Sequence, residues 1–156
     1  MNKNVQFGID YLFLTMIFHS DPKGQLTFNP IIEAAACFFL VNWGFESKEV
    51  DDIRNKFQKE FEKKSSTIEK SLVRIAGQIK DDTFLKEKFF TQMTALCVLD
   101  NRCSDMEADL LNVITTTLDF KPSEADTLRA QGFALASGLT FFGKAYAAYQ
   151  DKYISP

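Results

Sequence analysis

The chain has 156 residues, 46% of them hydrophobic and 16 of them phenylalanine, which is enough apolar material for one domain with a single core. Its net charge of −3 comes from acids and bases interspersed along the sequence, without the one-sided basic excess that a nucleic-acid binder carries. Three cysteines, Cys37, Cys97 and Cys103, cannot all pair within one chain and form no Cys-x-x-Cys; they read as reduced thiols of a cytoplasmic protein, used as small apolar fillers.

Helical spacing recurs almost throughout, so the expected fold class is all-α, with about seven helices in one domain over 1–156. The first helix, 5–20, carries the run "FGIDYLFLTMIF". Its 12 residues, interrupted by Asp10, fall short of the roughly 20 that span a bilayer. No small-residue cleavage site follows, so no signal peptide is expected. A helix apolar on nearly every side belongs at the centre of a bundle or under a partner. Pro22 and Gly24 in "SDPKGQ" mark the loop that ends it. Asn29 as N-cap and Pro30 at the first helical position open the second helix, and Gly44 closes it.

A third helix begins after Ser47, with Val50, Ile53, Phe57 and Phe61 on one stripe. Its other faces carry both signs of charge, with Asp52 and Lys56, and Glu60 and Lys64, at helical spacing; this is a solvated surface. Ser66 and Glu69 form a capping box for the fourth helix, whose buried stripe is Ile68, Leu72, Ile75 and Ile79. Asp81 and Asp82 break the run. The fifth helix, reaching about Leu99, turns Phe84, Phe89, Met93 and Leu96 inward. Leu111, Ile114 and Leu118 define the sixth. A seventh starts in "DFKPSEAD" and continues to Tyr153, with a bend at Gly132 or Gly138. On it Ala130, Ala134 and Gly138 make a small-residue stripe suited to close helix approach. Phe142, Tyr146, Tyr149 and Tyr153 make an aromatic stripe, a candidate seam for a homodimer.

The chain also repeats itself. An offset of 75 places "FESKEVDDI" over "FKPSEADTL", matching Phe45 with Phe120, Glu49 with Glu124 and Asp51 with Asp126. The same offset sets Asn29 over Ser104 and Trp43 over Leu118. Two quasi-repeated halves around one core are therefore expected.

The stretch "LDNRCSDMEADLL" concentrates acids between two apolar runs. An EF-hand needs an oxygen ligand at Arg102, glycine at Asp105 and glutamate at Leu111, and fails at all three. Read from its residues, the stretch is a helix start, with Ser104 as N-cap, Glu107 completing a capping box, and acids at the positive end of the helix dipole. In order and spacing it resembles the "D-G-x-[VI]-S-x-x-E" motif of TerB-like domains. These are named for the bacterial tellurite-resistance protein TerB and occur also in membrane-anchored J-domain co-chaperones. The resemblance covers "MTALCVLDNRCSDMEADLLNVITTTLDFKPSEADTL" and, more loosely, the first half of the chain. Asn101 replaces the usual glycine, and Pro30 occupies the place of the glutamate in the first half.

What the resemblance implies is a TerB-like bundle whose acidic turns face a divalent cation such as Ca²⁺ or Mg²⁺. Carried over by position, the ligand residues are Asp100 and Glu107, with Ser104 supporting the loop and Asp21 as a further partner. It also implies a non-enzymatic accessory protein of tellurite resistance or stress response. Such a protein acts through a protein partner or a second copy, and in some settings beside a membrane protein. The alternative from another class is a small enzyme using Cys103 or His19. Cys97, Cys103 and His19 match no strong zinc spacing. At position 103 the family motif carries an inward apolar residue, so Cys103 is expected to be buried.

Overall fold

The computed structural model describes residues 4–16, 29–63, 68–99 and 103–153, with side chains except at 30, 61–63 and 140–153. Among them lie seven helices and no strand: α1 (Val5–Thr15), α2 (Pro30–Asn42), α3 (Ser47–Lys63), α4 (Ile68–Ile79), α5 (Thr83–Val98), α6 (Asp105–Thr117) and α7 (Pro122–Tyr153). Four of them start at a side-chain cap that satisfies otherwise orphaned backbone N–H groups. Asn4 accepts from Phe7, Asn29 from Ile31 and Ile32, Asp82 from Leu85, and Ser104 from Glu107. The Ser66 cap falls outside the described residues.

Hydrophobic composition decides which helices go inside. Every residue of α1 from Phe7 to Thr15 is buried, Asp10 included, as the all-round apolar run requires. The second half of α5 is nearly as enclosed, with Phe89, Phe90, Met93, Leu96 and Cys97 in the core. Phe84 departs from expectation at 70% exposed, because the first turn of α5 lies ahead of the core and Leu85 takes its packed side. Helices α2, α3 and α4 pack on α1, while α6 and α7 pack on α5; α2 and α4 each touch both central helices and so join the halves.

The repeat is visible in the backbone. Helix α6 starts and ends 75 residues after α2, and α7 starts 75 after α3. The turns between them share their hydrogen bonds: Gly44 N–H to Val41 O and Phe45 N–H to Leu40 O recur as Asp119 N–H to Thr116 O and Phe120 N–H to Thr115 O. Both turns put a left-handed residue past the helix end, Gly44 at φ 94° and Asp119 at φ 57°. Glycine adopts that conformation freely, whereas a side chain at this place is strained, and a carboxylate there also opposes the helix dipole. Asp119→Gly is therefore expected to stabilise the fold by about 0.5–1 kcal/mol, read as a higher urea midpoint at unchanged slope.

Two glycines set helix spacing. A Cβ on Gly8 would lie 2.5 Å from Ile53 Cδ1, and one on Gly132 would lie 2.6 Å from Thr94 Cβ and 3.0 Å from Thr91 O. The close approach of α7 to α5 thus uses the face bearing Ala125, Leu128, Gly132 and Ala136, all buried. The stripe expected from the sequence is a different one: Ala130 and Ala134 are exposed, and a Cβ on Gly138 would meet nothing. Helix α7 runs uninterrupted through both glycines to Tyr153. No helix among the described residues is long and apolar enough to cross a membrane.

Candidate functional site

The corner between α5 and α6 carries the most unusual chemistry. Its first member, Cys97, sits on the last turn of α5 and is fully buried, because that end of the helix is enclosed by the core. Cys103 stands exposed just ahead of the α6 N-cap. Its position ahead of the helix, rather than on an inward helical face, accounts for the exposure where burial was expected. Even so, its sulfur reaches back to 3.2 Å from Cys97 Sγ.

Ser104 and Glu107 supply the oxygen side of the corner. Ser104 adopts the extended N-cap conformation, and its Oγ accepts from the Glu107 N–H at 3.2 Å. The hydroxyl donates to Glu107 Oε1, also at 3.2 Å. The serine arm of the capping box read from the sequence is thus present, and the carboxylate is held by the serine hydroxyl. Glu107 is only 3% exposed; the helix N-terminus and the serine offset part of the desolvation of its charge. One ligand atom from each of Cys97, Cys103 and Glu107 lies within 4.8 Å of the other two.

Electrostatics distinguishes the two thiols. The Cys97 thiol is pushed far up, first by burial, then by the hydrogen bond and charge of Cys103 and by the Glu107 carboxylate. At neutral pH Cys97 stays protonated, so it is a poor nucleophile. Deprotonating it requires a compensating positive charge close by.

Of the ligand residues carried over from the motif, Ser104 and Glu107 are brought together here. Asp21 and Asp100 lie outside the described residues, as does His19. The side chains of Phe142, Tyr146, Tyr149 and Tyr153 also lie outside them, although α7 is helical through all four positions. Sequence spacing did not disclose the convergence of Cys97 with Glu107. The signal available was a cysteine on the last turn of one helix, a second just before the next, and a glutamate in that helix's first turn. Sulfur donors favour softer ions than the all-oxygen shells of Ca²⁺ and Mg²⁺.

The other half of the repeat provides an internal comparison. At the places equivalent to Ser104 and Glu107 stand Asn29, which also caps its helix, and Ile32, which is fully buried. The fold therefore accepts an apolar side chain where α6 buries a carboxylate.

The helical order and this corner define an all-α, two-half helical protein with a thiol–carboxylate cluster. No protein family, no curated protein and no solved structure matches the chain.

Proposed function

We propose that this chain is a non-enzymatic, TerB-like accessory protein of bacterial tellurite resistance or stress response, which holds a cation at the α5–α6 corner and acts through contact with another protein. The convergence of three ligand-bearing side chains at that corner carries the reading. Two further observations support it. The Ser104–Glu107 pair stands at the motif position and is intact. On the outer face of α2, Ile31, Ala34, Phe38 and Val41 form an exposed apolar stripe, of the kind that a protein partner covers.

NMR titration of the reduced protein with Ca²⁺, Mg²⁺ and Zn²⁺ tests the cation part. The expected result is a saturable shift of the Ser104 and Glu107 amides with one ion per chain. No shift there with any of the three leaves an adaptor that uses only its helix faces. The thiol-enzyme alternative draws on the exposure of Cys103 beside Cys97. It requires Cys103 to be alkylated faster in the native protein than in the urea-unfolded chain; a slower native rate removes it.

A further inference from the structure

We infer that the α5–α6 corner is a site for a thiophilic divalent cation of the zinc type, ligated by Cys97 Sγ, Cys103 Sγ and a Glu107 carboxylate oxygen. This rests on the cation-binding reading above and names the class of ion.

The donor set comes first. Two sulfurs and one carboxylate on adjoining helix ends match the ligands that Zn²⁺ accepts, with Cys103 on the solvent side as the entry path. Two thiolates about 2.3 Å from one tetrahedral ion sit roughly 3.8 Å apart, and the two sulfurs here stand 3.2 Å apart. A small opening of the exposed Cys103 side chain brings them into range. Ca²⁺ needs six to eight oxygens and Mg²⁺ a near-octahedral oxygen shell; of the two carboxylates in the first turn of α6, Asp105 and Glu107, Glu107 is the one grouped with the two sulfurs.

Burial supplies the second argument. Glu107 occupies a place where the other half of the repeat carries Ile32, so the architecture does not demand a carboxylate there. Next to it is a buried thiol, a second group whose ionised form is unstable in an apolar setting. A divalent ion reconciles both. It replaces the two S–H protons, which leave to solvent, and the resulting pair of thiolates and one carboxylate leaves the cluster with a single net negative charge. Three protein ligands leave the fourth tetrahedral position open to water or another ligand. Ser104 is a positioning residue, orienting Glu107 through its hydroxyl.

The test uses the full chain, kept reduced, with Cd²⁺ as probe. Ultraviolet absorption is expected to show a thiolate-to-cadmium charge-transfer band saturating at one ion per chain and displaced by Zn²⁺. Cys103→Ser changes an exposed side chain, and its helical circular dichroism should be unchanged; it should weaken Cd²⁺ by at least about 100-fold and remove about half the band, while Ser104→Ala should weaken it by about 10-fold. Absence of the band in the wild-type protein, or an unchanged Cd²⁺ affinity in Cys103→Ser, overturns the inference. Amide shifts with Ca²⁺ or Mg²⁺ but no cadmium band preserve the cation-binding reading and overturn this one. No binding of any ion overturns both.

Discussion

Arg74→Leu is expected to lower the unfolding free energy by about 3 kcal/mol, near the lower end of what removing one partner of a buried ion pair does. The reason lies at Asp10, which is 0% exposed in the middle of the apolar helix α1. Arg74 on α4 grips both of its oxygens, Nε to Oδ2 at 2.8 Å and Nη2 to Oδ1 at 2.7 Å. Ser71 donates to Oδ1 at 3.1 Å and Gln6 at 3.0 Å. Without the guanidinium those two neutral donors remain, but among the described residues no ion pair is left to balance a carboxylate enclosed by side chains. Arg74 itself has a side chain 41% exposed, which places the effect at the lower end of the range. Replacing both residues by leucine should recover most of the loss, because an ion pair exchanged for well-packed apolar side chains is frequently neutral. Urea denaturation of the two single variants and the double variant measures this. A loss below about 1 kcal/mol in Arg74→Leu, the range of exposed pairs, would show that the pair is not holding α4 to α1.

Gln92→Leu is expected to destabilise by a similar amount, about 3 kcal/mol, by a different route. Gln92 Oε1 accepts two hydrogen bonds inside the core, from Tyr11 O–H at 2.9 Å and from Trp43 Nε1–H at 2.7 Å. Both donors are buried on apolar surroundings, and burial alone pushes the Tyr11 hydroxyl well above its ordinary pKa. Leucine has nearly the right volume, yet it leaves two donors with no acceptor, at roughly 1–3 kcal/mol each. Adding Tyr11→Phe should therefore cost less in the Gln92→Leu background than in the wild type. The chain has one tryptophan, so Trp43 fluorescence reports on the affected place directly. Lys88 Nζ lies 4.6 Å above the Trp43 ring and keeps one side of it covered. An unshifted emission spectrum together with unchanged stability would contradict the role given to Gln92.

The two variants act on joints between elements, whereas the site variants act on one corner. Asp10–Arg74 ties α1 to α4, and Gln92 ties α5 to α1 and to the end of α2. Neither set shares a residue with Cys97, Cys103 or Glu107. Effects on ion affinity and on stability should therefore be separable and close to additive.

The sequence by itself determined the helices, their order and the repeat. Helix boundaries depend on local chemistry: Asn29 followed by Pro30 starts a helix, and Gly44 past Trp43 ends one, wherever they occur. The 75-residue offset between α2 and α6 was legible for the same reason, since caps and turn residues lie in the chain itself. Ser104 and Glu107 were legible as a pair because they are three residues apart on one helix. The burial of α1 followed from its apolar run alone.

Only the tertiary structure decided which polar groups meet. Asp10 and Arg74 are 64 residues apart, and Tyr11 and Gln92 are 81 apart; no periodicity encodes such pairings, which depend on how helices are rotated against one another. Rotation also settled which face of α7 lies on α5, choosing Gly132 over the stripe of Ala130, Ala134 and Gly138. For the same reason the cluster stayed hidden at the sequence level. Cys97, Cys103 and Glu107 are close along the chain, but whether their side chains converge depends on the angle at which α6 leaves the end of α5, and packing against the shared core fixes that angle.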